Sequence, residues 1–144
     1  MEAVKDASHL YEVERRARHA ERPGFRISEL QIGPTQQVPW HCHTRIQDTF
    51  YVLEGTVRIF LREPKEDVTL APGETYAVRA GRPHLVTNPG AGSATFLVLQ
   101  GLGEYDYVPL TADPQDPRAS DTATGASLPG PATLRGASRT ADPS

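Results

Sequence analysis

Three histidines in this chain fall at spacings that permit metal chemistry. His41 and His43 stand at i and i+2, and on an extended strand side chains two apart point to the same face. Two imidazoles close together on one face form a ready chelate. The carboxylate of Asp48 follows five residues after His43. His84 opens a later apolar run, just after the tight-turn sequence Ala80-Gly81-Arg82-Pro83. Three imidazoles and one carboxylate suit a single divalent transition metal such as iron, manganese, nickel, copper or zinc. A metal with open positions beside its protein ligands polarises a carbonyl, activates water or binds oxygen.

These four residues need a scaffold that brings His84 opposite the other three, and the surrounding sequence reads as β structure. Between Phe25 and Leu110 short apolar runs alternate with Gly, Pro and Asn. Phe25–Ile32 alternates with one slip, as at a bulge. Thr49–Leu53 and Thr56–Leu61 are separated only by Glu54-Gly55, which predicts a hairpin. Val68–Leu70, Thr75–Val78, Leu85–Thr87 and Thr95–Gln100 complete the set. Many short strands with regular turns predict an all-β sandwich or barrel.

The flanks differ from this core. Residues 1–24 are polar and charged; Val4, Ala7, Leu10 and Tyr11 have rough helical spacing, and an arm or short helix on the domain is expected, ended by Pro23-Gly24. Residues 111–144 contain no aromatic residue and no Ile, Val or Met, and their large apolar side chains are Leu128 and Leu134. Such a segment buries too little apolar surface to offset its ordering entropy, which predicts a disordered tail. The domain plan is therefore an arm (1–24), a β-barrel (25–110) and a tail (111–144).

Composition narrows the function classes. The 144-residue length fits one domain. A net charge of −3, from 15 basic and 18 acidic residues, argues against nucleic acid as the main partner and against a polybasic membrane anchor. No apolar run approaches a membrane span, and Met1–Leu10 lacks the apolar stretch of a signal peptide. The single cysteine, Cys42, forms no intrachain disulfide, so a cytoplasmic location is expected. Strand alternation turns Cys42 away from the His41/His43 face, as a small apolar residue.

The spacing of the chemistry-bearing residues resembles a known family. His41-Cys42-His43, four residues, Asp48, six residues and Gly55 resemble the first cupin motif. Gly73, five residues, Arg79-Ala80-Gly81, two residues, His84, three residues and Asn88 resemble the second. The resemblance implies a double-stranded β-helix, or jelly-roll barrel. It implies a metal on His41, His43 and His84, with Asp48 at the position of the family's glutamate. Three positions depart from the pattern: Thr35 stands where a glycine is expected, Arg79 where a proline is, and Asp48 is one methylene shorter than glutamate. That shortening leaves two roles open for Asp48, ligand or orienting hydrogen-bond partner.

Around the metal the expected pocket is apolar with few polar groups. Pairing Leu53 with Thr56 puts Phe50, Val52, Val57 and Ile59 on the Asp48 side and Arg58 on the other, beside Tyr51. Phe50 and Ile59 are then candidate pocket residues, with Val52 and Val57 in the core. Gln37 shares the strand phase of His41, Gln100 ends a strong strand, and Arg82 adjoins His84; these three complete the expected substrate contacts. The resemblance implies dioxygenase, decarboxylase, isomerase or cyclase chemistry on a small oxygen-rich molecule. Dioxygenase ranks first because imidazole-rich sites with open positions suit iron and oxygen. A non-redox isomerase or cyclase, and a binding module without turnover, are the alternatives. No dedicated general base stands out, though Tyr51, Tyr76, Tyr105 and Tyr107 are available. The small core favours a homodimer. Removing residues 111–144 is expected to leave metal content and melting temperature nearly unchanged; a large drop in melting temperature on calorimetry contradicts this reading of the tail.

Overall fold

Period-two alternation in short segments yields ten strands: β1 (Arg15–Arg22), β2 (Phe25–Ile32), β3 (Gln37–Cys42), β4 (Gln47–Glu54), β5 (Val57–Leu61), β6 (Glu66–Leu70), β7 (Thr75–Val78), β8 (His84–Thr87), β9 (Ala94–Gly101) and β10 (Val108–Pro109). They are seen in a computed structural model that describes residues 2–112. The strands form two five-stranded sheets, ordered β1-β2-β9-β4-β7 and β10-β3-β8-β5-β6. Every pairing is antiparallel. The inner faces meet in one apolar core that includes Ile32, Val52, Val57, Ile59, Phe96 and Val98. This is the expected all-β, double-stranded β-helix. The segment expected to be a disordered tail lies outside the described residues beyond its first two positions.

One connection differs from expectation. β4 and β5 do not form a hairpin. β4 has β7 and β9 on its two edges, and β5 has β6 and β8. Glu54-Gly55 instead carries the chain from one sheet to the other, with Gly55 at φ +76°. Inner-face alternation is the same for a hairpin and for a crossing between facing sheets, so periodicity alone does not separate them. The faces come out as expected nonetheless. Phe50, Val52, Val57 and Ile59 are buried, and Arg58 lies outside in an ion pair with Asp67.

The N-terminal residues also differ. Arg15–Arg22 is no arm but the edge strand β1, paired with β2 through a register shift between Arg18 and Ala20. Charged residues on an edge strand discourage pairing with other chains, and they also hide the strand's alternation. Among the described residues before it there is no helix. Val4 and Tyr107 exchange backbone hydrogen bonds of 2.8 Å in both directions, and Ala7 is buried in the core.

β3 carries the feature that decides which side chains face inward. Its register against β8 runs Gln37↔Thr87, Val38↔Val86 and then His41↔His84. One extra residue on β3 makes a β-bulge, which flips the strand's phase. Pro39 sits inside it, where a residue without an N–H is tolerated. Val38 and His41 therefore both face the core, and Gln37 does not share the phase of His41.

A Cβ on Gly55 would lie 2.5 Å from the Ser93 carbonyl oxygen and 2.8 Å from the Ala94 Cα. Gly73 also has positive φ but nothing within 4 Å of such an atom. In urea unfolding, Gly55→Ala is expected to cost well over ~2 kcal/mol and Gly73→Ala only about 1 kcal/mol. Equal losses would show that the sheet crossing tolerates the added carbon.

Candidate metal centre

The bulge in β3 points His41 inward, and His43 follows two residues later. β8 begins at His84, directly across from His41. Asp48 comes from β4 in the facing sheet. The four side chains are buried, and one ligand atom from each lies within 4.8 Å of all the others. The ring centroid of His41 stands 4.9 Å from that of His43 and 4.2 Å from that of His84.

Each imidazole is turned by a backbone carbonyl. Nδ1 of His41 meets the Pro39 carbonyl oxygen at 2.7 Å, Nδ1 of His43 that of Asp106 at 2.5 Å, and Nδ1 of His84 that of Arg82 at 2.9 Å. A carbonyl only accepts, so Nδ1 carries the proton in all three rings. In the neutral form Nε2 is then the lone-pair nitrogen, which is how a metal-ligating histidine is commonly oriented.

Asp48 reaches the cluster despite its shorter side chain. Its Oδ2 lies 3.0 Å from Nε2 of both His43 and His84, and its Oδ1 accepts a 2.8 Å hydrogen bond from the Gln100 amide. Two donors each about 2.1 Å from a common ion, at right angles, stand about 3 Å apart. The donor set and spacing thus fit one divalent ion held by His41, His43, His84 and Asp48. Without an ion, the same distances are those of hydrogen-bond contacts between Asp48 and the two imidazoles.

The electrostatics follow from burial and mutual charge. Burial, joined by repulsion from the other two imidazoles, holds His41 well below the ordinary histidine value. Burial acts the same way on His43, but the Asp48 carboxylate outweighs it and raises that residue. Burial alone would raise Asp48; the charge and hydrogen bonds of His43 and His84 reverse this and hold it well below the usual carboxylate range.

A cavity of about 40 Å³ adjoins the cluster. Phe50 and Gln100 line it beside His41, His43 and Asp48. Ile59 is fully buried core and does not line it. Gln37 is turned away by the bulge. Arg82 also points elsewhere: its guanidinium donates to the carbonyls of Arg62 (2.9 Å) and Pro64 (2.7 Å) and pairs with Glu66 (2.8 Å), pinning the β5–β6 loop. Asn88, at the end of the second motif, ties the segment after β8 to the Ile32 carbonyl.

Three tyrosines from outside the motifs also reach the site. Tyr11 and Tyr105 line the cavity, and Tyr107 stacks on His41 with centroids 4.4 Å apart and planes 11° from parallel. The Tyr107 hydroxyl is buried and finds no hydrogen-bond partner among the described residues. Burial, with the charges of neighbouring Tyr11, Tyr105 and Asp48, pushes this phenol far up, so it stays protonated. Asp106 holds the segment in place, its carboxylate accepting from the Thr44 amide and hydroxyl at 2.9 and 2.6 Å. Clustered tyrosines in an otherwise polar stretch were the available sequence signal.

Residues 28–104 match the family described as the cupin domain, more than half of the chain. The chain belongs to the cupin family. Among solved structures, this cupin is similar to a double-stranded β-helix protein from Klebsiella pneumoniae (20% identity, TM-score 0.60, 67% of this chain and 84% of that one). It is similar also to a protein from Thermus thermophilus (30% identity, TM-score 0.56, 69% and 97%). An oxalate oxidase shares the fold at 19% identity, with a TM-score of 0.56 over 72% of this chain and 57% of that one. No curated protein matches the sequence. Among the described residues no helix is long and apolar enough to cross a membrane.

Protons compete with a metal for Nε2, and the raised His43 makes that competition begin at higher pH than for an ordinary histidine. Affinity is therefore expected to rise with pH, losing about tenfold or more between about pH 7.5 and pH 5.5 in a chelator competition assay. Asp48→Asn is expected to lower affinity about a hundredfold at neutral pH. A flat pH profile would exclude imidazole ligation.

Proposed function

We propose that this cupin is a metal-dependent enzyme acting on a small oxygen-rich molecule, with dioxygenase chemistry ahead of isomerisation or cyclisation. The observation that carries the reading is the set of three Nδ1–carbonyl bonds, which turns three Nε2 atoms toward Asp48 in a buried site. A resident iron, manganese, nickel or zinc ion would supply Lewis acidity, and a redox ion also electron exchange with oxygen.

The chain's own groups favour the redox branch. Isomerisation or cyclisation through an enol needs a base that takes a proton from carbon. Around the cavity the phenols of Tyr105 and Tyr107 are held protonated by burial. Gln100 has no basic group, and the three histidines and Asp48 are committed as ligands. Tyr107 is a donor: its unpartnered hydroxyl, beside His41, stabilises negative charge developing on a substrate oxygen. Phe50, Phe96 and Val98 line the same cavity and exclude water. The reading carries with it a homodimer in the cytoplasm, supported by the small core and the free Cys42 thiol.

The test is metal content by elemental mass spectrometry, followed by oxygen uptake against a panel of small carboxylates, enols and catechols. Near-stoichiometric iron, lost in a His41→Ala/His84→Ala double variant, with substrate-dependent oxygen uptake is the expected outcome. Turnover without oxygen consumption on nickel, zinc or manganese would move isomerase or cyclase chemistry ahead. Tight binding without product would make the protein a binding module. A chain that retains no ion after chelation and reloading would overturn the enzyme reading.

A further inference from the structure

The inner face of the β1-β2-β9-β4-β7 sheet is apolar along most of its rows. Val52 on β4 lies beside Phe96 on β9, and Phe96 beside Leu30 on β2. The row that holds Asp48 breaks this pattern most. Asp48 on β4 pairs with Gln100 on β9, and Gln100 pairs with Arg26 on β2. The Gln100 amide reaches Asp48, whereas the Arg26 guanidinium lies 3.8 Å over the face of Tyr105, whose ring is in turn 5.5 Å from that of His43. Arg26 is thus two strands and one aromatic ring away from the metal ligands.

Beyond that ring is a second cavity of about 510 Å³, a volume within the range of small-molecule sites. It shares five lining residues with the metal cavity: Tyr11, Leu30, Val98, Gln100 and Tyr105. Its charged lining is Lys5, Arg16, Arg18 and Arg26 against Asp6 alone. Glu21, which lies outside this lining, places one carboxylate oxygen 2.9 Å from Arg18 and the other 3.5 Å from Arg26. The arrangement therefore already seats a carboxylate between two guanidinium groups. Glu21 is largely exposed, its side chain 58% accessible, and that of Arg26 only 15%. An exposed pair of this kind contributes little, so a ligand carboxylate displaces it at small cost and gains the stronger hydrogen bonds of a half-buried guanidinium.

We infer that this second cavity is the anion-recognition part of the substrate site. The substrate is a small molecule with a carboxylate at one end, held by Arg26 with Arg18, and an oxygen-bearing group at the other end, beside Asp48 and Tyr107. This rests on the metal-site reading for the far end of the substrate, but the carboxylate contact stands on Arg26, Arg18 and Glu21 alone.

The test compares two probes of one shape, protocatechuate and its neutral amide, by calorimetric titration of the zinc-loaded full chain, with metal content measured on every sample. The parent is expected to prefer the carboxylate by about tenfold or more. Arg26→Gln should reduce that preference to within about threefold, Arg26→Lys should keep part of it, and Glu21→Gln should enlarge it by freeing both arginines. Equal binding of the two probes by the parent, or a preference unchanged in Arg26→Gln, overturns the inference and leaves the metal centre as described. The same titration on chelator-treated protein separates the two readings. A carboxylate preference there, in a chain that never takes up zinc, supports the anion site while the metal reading fails; its absence with or without zinc overturns the anion site.

Discussion

Asp48 carries the only negative charge among the four buried side chains of the candidate metal centre, and much of the interior depends on it. A lone carboxylate inside an apolar barrel is strongly disfavoured unless paired and hydrogen-bonded. Here one oxygen faces two imidazoles and the other accepts from the Gln100 amide. The imidazoles are in turn fixed by carbonyls of three separate segments, at Pro39, Arg82 and Asp106. Removing Asp48 would leave neighbouring imidazoles without the charge that balances them. Removing a carbonyl contact would free a ring to rotate its lone pair away. The constraint is thus mutual: charge balance needs the geometry, and the geometry has a use only because the charge is there.

That geometry comes from one irregularity in the backbone. With β3 paired regularly, Val38 and His41 would lie on opposite faces, and either the core or the chelate would lose its residue. The bulge around Pro39 lets both face inward. A local loss of ladder hydrogen bonding therefore serves both an apolar neighbour and a polar site on one short strand.

The chelate was legible in the sequence because it depends on short, fixed spacings: His41 and His43 two apart, Asp48 and His84 at offsets that match both cupin motifs. The barrel was legible because strand alternation survives any topology. Harder to read was what depends on which strands become neighbours. Gln37 failed as a pocket residue because the bulge reversed its phase, although Pro39 within the strand was the clue. Glu54-Gly55 looked like a hairpin because alternation is blind to a change of sheet. Arg82 looked like a pocket residue from its position beside His84, but the carbonyls of Arg62 and Pro64 took its guanidinium. Tyr11, Tyr105 and Tyr107 were missed as wall residues because their segments reach the site through single backbone contacts such as Val4 with Tyr107, which leave no periodic trace.

The carbonyl that orients His43 belongs to Asp106, and the strand opposite Asp48 on β4 ends at Gly101. During synthesis His41, His43 and Asp48 therefore leave the ribosome well before the groups that aim and balance them. A chain holding the first motif alone lacks the Asp106 carbonyl that orients His43 and the His84 ring that faces Asp48. The segment that supplies the Asp106 carbonyl is itself tied to the start of the chain, through the Val4–Tyr107 backbone hydrogen bonds. The four-residue cluster is consequently complete only in a finished domain, because the parts that aim and balance its rings are spread from Pro39 to Asp106.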